Sequence, residues 1–215
     1  MELISAILDR RSIRQYGEAI LEKDKILELL DKAQWAPSAC NRQGHKIIYI
    51  TGTETKQRLV DLGAAPFLLT APAVLVFLYE KTSDNIEYRD DIQSASALIQ
   101  NFLLLAHEAK LAACWICHLP TKRALKELLN IPKGLEPIAA VTLGYGKQAD
   151  LIARVPRKHA IRDVFFQECV PVEVKIQRPR YLRLKSFIRK VYLRLPLSIK
   201  KLVNPIVHKY FVKKF

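Results

Sequence analysis

The chain has neither a G-x-G-x-x-G nor a G-x-x-x-x-G-K-[ST] stretch. It therefore lacks both of the glycine-rich loops that cradle phosphate with backbone N–H groups. If a nucleotide binds, side chains must hold its phosphate. No apolar run is long enough to cross a bilayer. The N-terminus shows no signal-peptide pattern, and there are only 4 cysteines, which predicts a cytoplasmic protein with reduced thiols. Cys114 and Cys117 form C-x-x-C, but no second pair follows at metal-ligand spacing, and Trp115 and Ile116 between them are apolar. No metal site is expected. The pair also lacks the place after a first strand that a thioredoxin-like motif needs.

Negative charge is missing from one end. No acidic residue follows Glu173, while Lys and Arg from Lys175 to Lys214 supply 13 of the 14 net positive charges. Residues 1–174 are thus nearly neutral, at +1. The division predicts a domain over 1–172 and a basic extension over 173–215.

What is present suits a packed domain. The 215 residues are 50% apolar and 26% charged, enough for one sizeable core. Residues 2–9 read as a short helix. Residues 24–36 read as an amphipathic helix, with Asp24 as N-cap, Ile26, Leu29, Leu30 and Ala33 on one face, and Pro37 as its stop. A polar loop over 38–44 leads to a strand at 46–51 and a charged helix near 54–62. The continuous apolar run 73–79 predicts a buried strand. Residues 91–111 predict a long central helix, apolar nearly all round. A strand at 113–117, a helix at 121–129 and a strand at 138–145 follow. Helices and strands interleave without repeat, so the fold class is α+β.

The residues that point to chemistry begin at Arg10-Arg11-Ser12-Ile13-Arg14. A solvated helix end is one reading. The other is a phosphate grip, because guanidinium forks bind phosphate oxygens in pairs and serine adds a neutral donor. One helix later comes Trp35-Ala36-Pro37-Ser38-Ala39-Cys40-Asn41-Arg42-Gln43, then a long helix running to Cys114-Trp115-Ile116, then Leu143-Gly144-Tyr145-Gly146, with Pro156-Arg157-Lys158 further on. In this order the segments resemble the nitroreductase family of FMN-dependent oxidoreductases, over about residues 1–170.

The resemblance implies a mostly antiparallel central sheet flanked by helices, in an intertwined homodimer with FMN at the subunit interface. It implies that Arg10, Ser12 and Arg14, with Arg11 nearby, hold the FMN phosphate and ribityl chain, and that Arg157 and Lys158 approach the same phosphate. Pro37, Ser38 and Asn41 would reach the flavin ring from the other subunit, and Gln43 would lie close to it. The loop at Ile116, Cys117 and His118 would face its reactive edge with backbone N–H groups. The implied activity is hydride transfer from NADH or NADPH, by way of FMN, to a small organic acceptor in ping-pong fashion. No triad or acid–base pair is needed or visible, since the flavin carries the electron chemistry. Cys117-His118 departs from the family's small residues. His118 is a candidate proton donor, or a bulky wall that narrows the pocket. Trp35 and Tyr16 are expected in the core or the pocket walls, and His107 is expected to be structural. Segments 63–72 and 81–91 are the local candidates for a pocket roof. A reading of another class is a degenerate relative that serves as a membrane-associated binding module with little turnover.

In the basic extension, Leu184, Phe187, Ile188, Val191, Tyr192 and Leu195 share a helical stripe, with Arg183, Lys185, Arg189, Lys190 and Arg194 on the other side. Pro196 ends this helix, and Ser198 is a candidate cap for a second, within which Pro205 would kink or restart the chain. Three roles compete: an arm clasping the partner subunit, peripheral contact of 175–215 with an anionic membrane at its inner face, and, least favoured, nucleic acid.

Overall fold

The apolar run from Ala73 is buried along its length because helices cover both of its faces. In the computed structural model, which describes residues 2–81, 87–147, 157, 160, 161, 164–169 and 180–207, it forms strand β2 (Ala73–Glu80). β2 pairs with β1 (His45–Ile50) on one side and β4 (Leu135–Gly144) on the other, and β4 pairs with β3 (Ala112–Ile116). The strand order is β1-β2-β4-β3, antiparallel throughout, as the α+β reading expects.

Side chains alternate across the pleat, so one strand feeds two cores. Leu75 and Phe77 of β2, with Val141 and Leu143 of β4, face α2 (Lys23–Ala33) and α4 (Asp90–Glu108). Phe77 and Phe102 stand there with ring centroids 6.0 Å apart. Val74, Val76, Leu78 and Ala140 face the other way, onto Leu59 of α3 (Thr53–Asp61), Leu68 and Leu125 of α5 (Lys122–Leu128). Each large side chain fully buried in this way stabilises the fold by about 1.5–3 kcal/mol. α4 presents Ala95, Leu98, Ile99, Phe102 and Ala106 to the sheet. Its 19 residues give a rod of about 28 Å.

Both ends of α2 depart from the sequence reading. Asp24 does not cap α2. The helix starts at Lys23 after Glu22, and Asp24 lies in its first turn, where its charge favours the helix dipole. α2 also stops at Ala33 rather than 36. Pro37 bars helical geometry just before itself, and the N–H groups of Trp35 and Ala36 are spent in a closing turn on Lys32 and Ala33. Past α3, Gly63 takes φ +110° and lets the Ala64 N–H reach the Leu59 carbonyl at 2.9 Å, the left-handed ending that glycine favours.

The short α1 (Leu3–Asp9) packs on α4 through Ala6 and leaves Leu3, Ile4, Ile7 and Leu8 exposed. At the other end, α6 (Arg180–Arg194) and α7 (Leu197–Val207) form a helical pair. Ser198 is not a cap, because α7 begins at Leu197 and the Pro196 carbonyl accepts the Lys200 N–H. Pro205 lies within α7, which spans it. Among the described residues, no helix is long and apolar enough to cross a membrane.

Candidate functional site

α1 ends at Asp9, and the chain then runs extended beside the β3 edge. The Ile13 N–H donates to the Ala113 carbonyl (3.1 Å), and the Gly17 N–H to the Tyr145 carbonyl (2.8 Å). Tyr16 is buried, and its hydroxyl bonds to the Ile13 carbonyl (2.9 Å) and to Thr142 Oγ1 (2.7 Å). The Thr142 hydroxyl lies 3.3 Å from the Cys114 carbonyl. Burial pushes the Tyr16 phenol well above its ordinary pKa, against the Thr142 bond. The Tyr16–Thr142 link was not legible beforehand, because the two residues lie 126 positions apart.

This anchoring sets the arginines. Arg10, Ser12 and Arg14 gather around Cys114: the Ser12 hydroxyl bonds to its thiol, and both guanidinium charges act on it. Burial pushes the Cys114 thiol up, so it stays neutral and places no negative charge beside the arginines. Burial also lowers the Arg10 pKa, and the neighbouring Arg11 and Arg157 charges lower it further. The Arg157 charge, 147 positions on, is thus close enough to act on Arg10. Arg14 donates to the Ser12 carbonyl (3.3 Å) and lies 5.7 Å from the Phe67 ring centroid. Phe67 belongs to the 3-10 turn Pro66–Thr70, inside one of the two segments expected to roof a pocket.

Arg11 points elsewhere. Its Nη1 donates to the carbonyls of Leu8 (2.7 Å) and Arg10 (2.8 Å), closing the C-terminal end of α1 as basic side chains often do. Its buried Nε has no protein partner.

The loop from Trp35 to Gly44 is tight and open to solvent. Cys40, Asn41 and Gln43 all take left-handed φ, at 51°, 53° and 49°, a region that costs a non-glycine residue free energy. The Ser38 hydroxyl accepts the Gln43 N–H (3.2 Å), and Gln43 Nε2 donates to Asn41 Oδ1 (2.8 Å). The Ala39 N–H donates to Ser94 Oγ on α4 (3.0 Å). Ser94 was read only as one of the small residues at the start of that helix. Pro37, Asn41 and Gln43 are exposed, and Ser38 is half-buried. Of the two places expected for Trp35, the core is excluded: it is 86% exposed, because α2 ends before it and its side chain leaves the helix stripe.

The third segment follows β3. Ile116 is buried, Cys117 is exposed and His118 is half-buried. The His118 carbonyl accepts the Ala65 N–H (3.2 Å), and the Cys117 carbonyl accepts from Arg189 Nη2 on α6 (3.3 Å). Lys158 lies outside the described residues.

Within one chain these parts do not all meet. The arginine segment follows the β3 edge, while the 38–44 loop leads into β1, the opposite edge. Four strands separate the edges by about 14 Å. Along α4, the arginines act on His107 and the loop bonds to Ser94, about 20 Å apart at 1.5 Å per residue. Beside β1 lies instead a groove of about 580 Å³ lined by Ile26, Leu30, His45, Ile47 and Tyr49 among others, none of them a predicted site residue.

Comparison with known proteins identifies the family and the fold. The family model described as "Nitroreductase family" matches residues 7–62 and 57–145. A protein of Archaeoglobus fulgidus, provisionally named an NADH dehydrogenase/NAD(P)H nitroreductase, is 30% identical over 150 residues, covering 68% of this chain and 86% of its own length. A Bacillus subtilis protein named FMN reductase [NAD(P)H] is 26% identical over 175 residues, covering 73% and 70%. The crystal structure of a provisionally named nitroreductase from Desulfovibrio desulfuricans, in complex with FMN, superposes with a TM-score of 0.65 at 23% identity, over 80% of this chain and 99% of that one.

Proposed function

Because the chain belongs to the nitroreductase family, we propose that it is a homodimeric, FMN-dependent oxidoreductase that uses NADH or NADPH to reduce a small organic acceptor. The observation that carries this reading is the cationic cluster of Arg10, Arg14 and Arg157 at the β3 edge, with Ser12 among them. Burial, then the Arg11 and Arg157 charges, lower the Arg10 pKa, and a phosphate dianion would offset that cost. Side chains thus replace the glycine loop that the sequence lacks. The donor set fits FMN, and the family relatives named for FMN support the same group.

FMN, when bound, supplies the two-electron chemistry, with donor and acceptor using it in turn. The protein's part is position and charge. Arg10, Ser12 and Arg14 bind the phosphate and ribityl chain, with Arg157 and the adjoining Lys158 completing the grip, while Arg11 holds the end of α1. The 116–118 loop, pinned by Ala65 and Arg189, would supply N–H groups to the reactive edge of the ring and so stabilise negative charge there. His118 is the candidate proton donor. Pro37, Ser38, Asn41 and Gln43 serve the ring of the site on a second copy, since their own arginines lie across the sheet. The exposed apolar face of α1 and the exposed Trp35 suit that pairing, which is symmetric and self-complementary.

The test is the absorbance spectrum of the purified protein, followed by anaerobic titration with NADH and then NADPH. Flavin bands that bleach on titration are expected. A colourless protein that takes up no added FMN would exclude the reading.

A further inference from the structure

α6 and α7 have more apolar surface than their own subunit uses. On α6, Tyr192 is buried and Ile188 half-buried. Tyr192 and Leu193 pass so close to Gly63 that a Cβ there would lie 3.3 Å from each. Arg189 bonds to the Cys117 carbonyl. On α7, Lys200 is buried, donates to the Leu193 carbonyl (2.9 Å) and stands 5.9 Å from the Tyr192 ring centroid. The helix pair is therefore fixed to the body by one side. The predicted apolar stripe of α6 is split. Its remaining part, Leu184, Phe187 and Val191, follows i, i+3, i+7 and is 60%, 64% and 46% exposed. On α7, Leu202 is exposed to 77%.

We propose that this second stripe is a docking face for an anionic lipid bilayer. Charge selects the occupant. Lys190 and Arg194 are exposed and border Phe187 and Val191 on the helix surface, and no acidic residue follows Glu173 to neutralise them. A second copy offers the same cationic helices or a body whose acidic residues are balanced by its own basic ones, at net +1, so it presents no net negative charge to this face. Nucleic acid would use the charge but not the exposed Phe and Leu side chains. An anionic bilayer uses both: the apolar side chains enter the headgroup–acyl boundary while Lys and Arg stems reach up to the phosphates. Each basic residue near such a surface strengthens binding roughly fivefold. The docking face is separate from the flavin chemistry, so either can hold without the other.

Flotation of the full-length protein tests this. Vesicles of phosphatidylcholine are compared with vesicles of equal parts phosphatidylcholine and phosphatidylglycerol, at about 0.1 M and about 1 M salt, where the screening length falls from about 10 to about 3 Å. The protein is expected to float with the anionic vesicles only, and to be released by salt. Phe187→Glu/Val191→Glu is expected to lower vesicle affinity at least tenfold with an unchanged circular dichroism spectrum and melting temperature, while Phe187→Leu keeps it. Sedimentation of the wild type at every composition, or equal flotation of the double variant, would overturn the proposal. So would a shift of duplex DNA without flotation, which would assign the charge to nucleic acid. A change of oligomeric mass in the double variant would assign the stripe to a second copy instead.

Discussion

Arg10–Tyr16 and Trp35–Gln43 carry two parts of one motif, yet their own chain treats them differently. The first is laced to the sheet by the Ile13 and Gly17 N–H groups and bolted by buried Tyr16. The second rests on Ser94 and on bonds within itself, holds three left-handed residues and stays open to solvent. The contrast teaches where each part draws its order. The arginine segment is preorganised by the fold that carries it. The 38–43 loop is held in a strained shape, which under the proposed function serves a site on another copy.

The comparison breaks most sharply at the grip. Arg10→Ala/Arg14→Ala removes two charge-assisted contacts at about 1.5–3 kcal/mol each. FMN affinity should then fall by about 10²–10⁴-fold, read by flavin fluorescence titration, with the dimer intact by light scattering. An unchanged affinity would move the phosphate elsewhere. Next comes the bolt. Tyr16→Phe should cost about 1–3 kcal/mol in denaturant unfolding, because the Ile13 carbonyl and the Thr142 hydroxyl each lose a buried partner. A loss near zero would show that Tyr16 only fills space.

On the loop side the effect is smaller. Ser38→Ala removes the acceptor of the Gln43 N–H and should cost about 1 kcal/mol, a drop of about 2–4 °C in Tm, while FMN affinity falls more than stability. Equal losses would make the loop merely structural. The smallest effect concerns His107, on α4 within reach of the arginine charges. Burial, then Arg10 and Arg11, hold its pKa below the usual 6.5, with Asp9 opposing. The folded protein therefore binds fewer protons there than the unfolded chain, and stability is lost as pH falls below 6.5. His107→Gln should flatten that part of the pH–stability curve. A curve of the same slope would assign the acid sensitivity to other groups.

Much of this layout was legible in the residues because it rests on periodicity. Ala73–Tyr79 could only be a strand covered on both faces, and the 91–111 pattern could only be a helix covered on most sides. The arginines and the Ala36-Pro37-Ser38 stretch pointed to the family by resemblance, through their order and spacing, while the missing phosphate loop said only that side chains would have to hold any phosphate. What stayed hidden depends on direction and distance. Nothing in Arg10-Arg11-Ser12 says that Arg11 turns back to the α1 carbonyls. No glycine marks Cys40, Asn41 or Gln43 as left-handed. The apolar stripe of α6 gives no sign that Tyr192 turns inward against Gly63 while Phe187 turns outward, because a helix wheel shows one apolar side and the body covers only part of it.

The central claim is that each site is made from two chains, and a mixed dimer tests it most directly. Arg10→Ala/Arg14→Ala chains and Asn41→Ala chains are co-expressed with different tags, and the mixed dimer is purified through both. If the arginines of one chain serve with the loop of the other, one site of the mixed dimer holds both defects and the other holds none. One FMN should then bind per dimer with wild-type affinity. A mixed dimer without any tight site would place both parts within a single chain and contradict the account.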